Sequence, residues 1–239
     1  MKWLAPFREC FGHEAQRISV GQYINGLLSD SARKSMQAML ARVTAPVRYQ
    51  AFQHFITDAP WDAETMWRIL RKKVPDRTGY VVFDDTGFPK KGDQSVGVAR
   101  QYTGTLGKIG NCQVAVTATL WSGVRAWLIG AALYLPEEWL TDRARCKKAR
   151  IPSTVIFQKK WELALGLLRA ALAAGFDVAA VLADAGYGDA AAFRAALHEL
   201  QLIYAVGVAS TTSVFRGTPS LKLPTRVPKP DAQRRPRPT

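Results

Sequence analysis

Val81-Val82-Phe83-Asp84-Asp85-Thr86-Gly87 is the most informative stretch of this sequence. An apolar run typical of a buried strand ends in two aspartates, and a basic, glycine-rich segment follows. Because a buried carboxylate is costly unless it is paired or binds a metal ion, acids in this position indicate a site for a divalent cation. Successive strand residues point to opposite faces, so only one of the pair faces the site. We predict that it is Asp85.

A second aspartate follows an apolar run much later, in Val181-Leu182-Ala183-Asp184-Ala185-Gly186. Each acidic motif also has a plainer interpretation, since Asp-Thr-Gly is typical of a turn and Asp184 precedes a helix that it would suit as a cap. We assign that cap to Asp189, which leaves Asp184 for metal. Carboxylates at the ends of two strands indicate metal-assisted phosphodiester chemistry with Mg²⁺, or alternatively Mn²⁺.

The charge balance favours a polyanionic partner. The 239 residues include 33 Lys and Arg against 19 Asp and Glu, a net charge of +14, and nucleic acid is the commonest partner of so basic a protein. The segment 216–239 contributes seven cations and one acid, so the remaining chain is also basic.

Cysteine usage and the apolar runs indicate a cytoplasmic, nucleoid-associated protein. Three scattered cysteines suggest free thiols, and Cys10 with His13 has no second pair to complete a zinc site. The chain shows neither a signal peptide nor an apolar run long enough to span a membrane, so no membrane partner is expected.

Hydrophobic spacing predicts helices first and a sheet afterwards. Helices are predicted at 31–43, 47–57 and 62–74, with Asp62 as the N-cap of the last. Strands follow at 80–83, 113–121, 124–135, 178–183 and 203–208, with helices at 159–174 and 189–200 and a long loop at 86–111. The first three strands suit an antiparallel meander, joined at Ser122-Gly123, and the later ones suit helical crossovers.

This order predicts an α+β or α/β protein with a ribonuclease-H-like mixed sheet and flanking helices, preceded by a helical N-terminal region. In that fold the first and fourth predicted strands are neighbours, which brings Asp85 and Asp184 together at the strand ends.

The glycine-rich loop also contains cations and aromatic side chains suited to DNA. Cations neutralise phosphates, and aromatic rings stack on unpaired bases. The alternative is an ordinary solvated basic loop. The predicted nucleic-acid-binding residues are Lys90, Lys91, Arg100, Tyr102 and Lys108, together with Lys160 at the start of the helix at 159–174.

Several segments carry a resemblance to a known family. They are Asp-Asp-Thr-Gly-Phe-Pro-Lys-Lys-Gly at 84–92, Ser-Val-Gly-Val-Ala-Arg-Gln-Tyr at 95–102 with Gly104, Asn-Cys-Gln-Val at 111–114, Leu-Tyr-Leu-Pro at 133–136 with Trp139 and Asp142-Arg143, and Ala-Asp-Ala-Gly-Tyr-Gly at 183–188. Over about residues 14–215 the chain resembles insertion-sequence transposases of the DDE superfamily.

The resemblance implies magnesium-dependent cleavage of DNA at transposon ends and strand transfer into target DNA. It places the first catalytic, metal-binding acid on Asp85 and the second on Asp184. It further implies a DNA-end-binding region at 1–77 and a catalytic core at 78–212. The tail at 213–239 is basic and proline-rich and has few large apolar residues, so its composition predicts disorder. A second copy of the chain, forming a homodimer, is a further candidate partner.

The third acid of the family leaves the enzymatic status open. The family takes a glutamate from a helix after the last strand, whereas here the only acid after Glu199 is Asp231. We therefore expect a truncated transposase with an incomplete core. The alternatives are a non-catalytic, transposase-derived DNA-binding protein or inhibitor, and, more distantly, another ribonuclease-H-like nuclease.

Overall fold

The computed structural model describes residues 2–214 and 217, and the chain divides into two units, 1–208 and 209–239. The tail predicted at 213–239 lies outside the described residues, apart from 213, 214 and 217. A 3-10 helix, Lys2–Cys10, opens the first unit. The α-helices are α1 Glu14–Leu28, α2 Met36–Leu40, α3 Tyr49–Thr57, α4 Ala63–Lys73, α5 Glu137–Thr141, α6 Arg143–Lys148, α7 Lys160–Ala173, α8 Ala185–Gly188 and α9 Ala191–Glu199. The strands are β1 Thr78–Pro89, β2 Ala99–Thr103, β3 Lys108–Trp121, β4 Ala126–Leu133, β5 Asp177–Ala183 and β6 Tyr204–Val206.

The N-terminal segment is helical, as predicted, but one of its helices is shorter than expected. The predicted helix at 31–43 reduces to α2, because Ser35 caps it by accepting the Ala38 N–H at 3.4 Å. Ser31 instead donates its hydroxyl to the Arg33 carbonyl, and this bond holds residues 31–33, which precede α2, in a bend. The N-cap predicted for α4 is confirmed, since the Asp62 carboxylate accepts the Thr65 N–H at 2.9 Å.

The sheet has the strand order β2-β3-β1-β5-β6, and β4 pairs with the same edge of β3 as β2 does. β1 is antiparallel to β3 and parallel to β5, with Phe83 opposite Ala183. The predicted meander is therefore present as β1, β3 and β4. The predicted neighbours also pair, since the first and fourth expected strands are β1 and β5.

Two expectations about the region around Asp85 were wrong. The first strand does not end at the aspartates, because β1 continues through them to Pro89 while β3 remains paired with it. The long loop contains β2, which pairs with the start of β3. Both errors have one cause: backbone pairing with β3 does not require the apolar side chains from which strands were predicted.

One face of the sheet forms the main hydrophobic core with α7, α8 and α9. Val81 and Phe83 of β1 lie in this core with Val181 of β5, Leu168 of α7 and Phe193 of α9. Because strand residues alternate between faces, Asp85 continues the row of Val81 and Phe83. The core side of β1 thus leads directly to a carboxylate.

The helical segment is bonded to this sheet by a buried arginine. Arg71 of α4 is 6% exposed and donates from Nε to the Ile129 carbonyl of β4 at 2.9 Å. A buried guanidinium needs such acceptors, so the contact fixes α4 against β4.

Candidate metal centre

Asp85 is held by one contact on each carboxylate oxygen. Tyr187 of α8 donates its hydroxyl to Oδ1, and Lys160 at the start of α7 pairs through Nζ with Oδ2. Asp84 belongs to the opposite face of β1 and accepts the Asp85 N–H on its own Oδ1 at 2.7 Å. The structure therefore places Asp85, rather than Asp84, beside α7 and α8.

Asp184 directly follows β5 and caps the short helix α8. Its Oδ1 accepts the Gly186 N–H at 2.9 Å, and no described residue hydrogen-bonds to Oδ2. The capping role predicted for Asp189 was wrong, because Ala190 is the N-cap of α9 while Asp184 caps α8. The single turn of α8 escaped prediction since it is too short to show hydrophobic periodicity.

Both predicted carboxylates lie just beyond the point where the pairing of β1 with β5 ends. Phe83 of β1 pairs with Ala183 of β5. Asp85 comes two residues after Phe83, and Asp184 comes one residue after Ala183. Adjacent strands are separated by about 4.8 Å. Burial is the main cause that raises the pKa of Tyr187, followed by its hydrogen bond to Asp85 and the charges of Asp85, Asp184 and Asp84. One buried hydroxyl therefore lies within electrostatic reach of all three carboxylates.

Glycines allow α8 to pack closely enough to place Tyr187 and Asp184. A Cβ on Gly188 would stand 1.9 Å from the Gly207 carbonyl oxygen, and one on Gly207 would stand 2.8 Å from the Ala185 nitrogen. Gly207 also donates its N–H to the Ala183 carbonyl at 2.9 Å. The chain after β6 thus lies against the backbone that carries Asp184.

The residues present fit part of a divalent-cation site. Two carboxylates follow the last paired residues of β1 and β5: Asp184 has an oxygen without a described hydrogen bond, and Asp85 already has a cation, Lys160, on its Oδ2. Hard cations such as Mg²⁺ prefer such oxygen ligands. No cluster of three or more potential ligands, counting His, Cys, Asp and Glu, occurs among residues 2–214 and 217, so these residues provide at most part of a three-acid set.

The other predicted site residues are spread over the β1–β3 region. Lys160 is the only one of the six predicted DNA contacts with a described contact to Asp85. Lys90 and Lys91 follow β1 and are exposed. Arg100 and Tyr102 share the exposed face of β2, and Lys108 begins β3.

Sequence reasoning missed the roles of two tyrosines. Tyr187 is 2% exposed and holds Asp85, whereas the ring of Tyr134 lies 5.5 Å from the Lys160 Nζ. Burial and the charges of Glu137, Asp85 and Glu138 raise the pKa of Tyr134. The Gly-Tyr-Gly sequence around Tyr187 hinted at close packing there, but no local pattern signalled Tyr134.

Taken together, the mixed sheet, its flanking helices and the carboxylates on and just after two neighbouring strands are typical of a ribonuclease-H-like fold. A family model described as "DDE superfamily endonuclease" matches residues 6–239, and the chain belongs to this superfamily. The predicted family and fold class are thereby confirmed. Endonucleases of this superfamily generally use divalent metal ions.

A named relative gives a more particular likeness. The chain is 33% identical over 192 residues to the "Probable transposase for insertion sequence element IS701" of Microchaete diplosiphon. The match covers 77% of this chain and 47% of that protein, so the chain spans about half the length of this relative. Within the described residues, no helix is both long and apolar enough to cross a membrane.

Proposed function

We propose that this chain takes part in DNA transposition as an insertion-sequence transposase, cleaving DNA at transposon ends and joining it to a target. The observation that supports this most directly is that Asp85 lies on β1 and Asp184 directly follows the neighbouring strand β5, in a chain of the DDE superfamily. The net charge of +14 suits a partner with many phosphates.

In this proposal Asp85 and Asp184 hold Mg²⁺, for which Mn²⁺ can substitute. The chemistry that bound divalent ions supply in such sites is activation of the attacking oxygen and stabilisation of the leaving oxygen. Tyr187 fixes the Asp85 carboxylate from the buried side, and the α8 turn fixes that of Asp184. These residues orient the two acids before substrate arrives.

We further propose that the region from β1 to β3 contacts the DNA. Arg100 and Tyr102 lie on one exposed face of β2, where Tyr102 is 64% exposed. Tyr102 pairs across the strands with Ile109, which is 60% exposed. Cations beside an exposed ring combine the phosphate and base contacts that single-stranded DNA requires.

Helix α6 adds cations that the sequence alone did not indicate as DNA contacts. Arg145 stacks on Trp139, 3.6 Å from its ring centroid, and donates to the Asp93 carbonyl at 2.7 Å. This anchors α6 beside the segment that carries Lys90 and Lys91. Arg143 and Lys147 are exposed and have no acidic partner among the described residues, so both are available to phosphates.

A cleavage assay with the insertion sequence's own end DNA tests the proposal. Asp85→Asn and Asp184→Asn should each abolish Mg²⁺-dependent nicking and leave DNA binding within about twofold. Asp84→Asn is the matched control, because it removes the same charge from the opposite face of β1 and should cleave as the unaltered chain does. Normal cleavage by either of the first two variants would show that its carboxylate is not a ligand.

The second candidate is a non-catalytic DNA-binding protein or inhibitor derived from a transposase. It is favoured by the lack, among the described residues, of a third potential ligand near the two aspartates. This candidate predicts end-DNA binding that weakens steeply with salt and no nicking at any Mg²⁺ or Mn²⁺ concentration. The same assay therefore distinguishes the two.

A further inference from the structure

The two partners of Asp85 differ in how firmly they are placed. Tyr187, on Oδ1, is 2% exposed and lies in the main core. Lys160, on Oδ2, contacts the carboxylate where both side chains are partly exposed, 30% for Lys160 and 33% for Asp85. The hydrogen bond from Tyr187 is thus fixed by packing, whereas the partly exposed Lys160 side chain can move away from Asp85 without disturbing the core.

The position of Lys160 in its helix is unfavourable without Asp85. It is the first residue of α7, and the N-terminus of a helix carries partial positive charge that disfavours cations. The acid of this turn, Glu162, accepts the Lys159 N–H at 2.6 Å. Asp85 and the ring of Tyr134 are therefore the groups that stabilise the Lys160 ammonium.

We propose that Lys160 is an exchangeable counter-cation of Asp85, which a divalent ion displaces and which then binds a DNA phosphate near the site. This inference rests on the proposed function, because it assumes that Asp85 is a metal ligand. Tyr187 keeps its hydrogen bond to Oδ1 throughout, while Oδ2 changes partner. Lys160 is thus a positioning residue whose ammonium neutralises the carboxylate until metal and DNA are both present.

Competition for Oδ2 predicts a gain in metal affinity when the lysine is removed. Binding of Mn²⁺ alone to the full chain, followed by the electron paramagnetic resonance signal of free Mn²⁺, should tighten about fivefold in Lys160→Met, the effect expected for a partly exposed ion pair. Lys160→Arg should remain within about twofold of the unaltered chain.

Lys159→Met is the matched control, because Lys159 is an exposed cation at the same helix end with no described contact to Asp85. It should change Mn²⁺ affinity by less than about twofold. Unchanged or weaker Mn²⁺ binding by Lys160→Met would overturn the proposal, as would an equal gain in Lys159→Met, which would indicate a general charge effect.

A second measurement follows the lysine after its release. Mn²⁺ should raise the affinity for a short DNA duplex in fluorescence anisotropy, and the gain should be about threefold smaller in Lys160→Met. An equal gain in DNA affinity in the unaltered chain and in Lys160→Met would show that Lys160 does not bind a DNA phosphate.

Asp85→Asn separates this inference from the proposed function. If Asp85→Asn binds Mn²⁺ normally, Asp85 is not a ligand and both proposals fail. If Asp85→Asn loses Mn²⁺ and Lys160→Met binds like the unaltered chain, only the role of Lys160 is refuted.

Discussion

Replacing Gly188 by alanine should destabilise the packing of α8, the helix that carries Tyr187 and is capped by Asp184. The added Cβ would stand 1.9 Å from the Gly207 carbonyl oxygen, which is 1.5 Å short of the 3.4 Å at which ordinary contact begins. The neighbouring atom belongs to the backbone, and Gly207 is itself bonded to the Ala183 carbonyl. Neither side can relax by rotating a side chain.

The size of the effect follows from the groups involved. Forcing a methyl group into a packed contact costs about 1–3 kcal/mol, and loss of the Gly207–Ala183 hydrogen bond adds about 1 kcal/mol. Alanine regains up to about 1 kcal/mol of helix propensity, little of it in a helix of a single turn. We expect Gly188→Ala to lower the free energy of unfolding by about 2–4 kcal/mol.

Urea unfolding followed by circular dichroism measures this change, and Gly166→Ala is the control. Gly166 lies inside α7 and is exposed, and a Cβ added to it would meet no atom within 4 Å. The same substitution should there raise the free energy of unfolding by about 0.5–1 kcal/mol. If Gly188→Ala were as stable as Gly166→Ala, the packing of α8 against the chain after β6 would be refuted.

Two further substitutions test the contacts around the sheet. Tyr187→Phe removes the hydroxyl on Asp85 and should lower the free energy of unfolding by about 1–2 kcal/mol, whereas Tyr134→Phe should change it by less than about 0.5 kcal/mol; equal effects in urea unfolding would contradict the bond. Hydrogen bonds from Arg125, Trp127 and Ser122 lower the pKa of Asp76 to about 2. Because that pKa lies below the value of about 3.9 in unfolded chains, Asp76 stabilises the fold above about pH 4, and this contribution is lost as the pH falls towards 2. Asp76→Asn should therefore lower Tm at pH 7, with a difference that shrinks between pH 4 and 2 in thermal scans; a constant difference would refute the assignment.

The sequence predicted the parts of the fold that depend on apolar pattern. Val81 to Phe83 and the run before Asp184 are continuous apolar segments, and their pairing as β1 and β5 follows from the order of strands and helices. The Asp62 cap was predictable because capping is a local interaction between the carboxylate and the Thr65 N–H.

The remaining errors arise from interactions between distant residues. β2 is polar and glycine-flanked, so only its pairing with β3 reveals it as a strand. The capping role of Asp184 depends on α8, which is stabilised by packing against Gly207 rather than by its own sequence. The contact between Lys160 and Asp85 was likewise not predictable, because it joins residues 75 positions apart; the prediction that Lys160 binds DNA stays a prediction.

The claim on which the account depends is that Asp85 and Asp184 share one divalent ion. A crystal structure with Mn²⁺, analysed by anomalous scattering, tests it most directly. We predict one peak with an oxygen of each carboxylate about 2–2.5 Å away. A peak on one aspartate alone, or carboxyl oxygens more than about 10 Å apart, beyond the reach of a two-ion site, would contradict it.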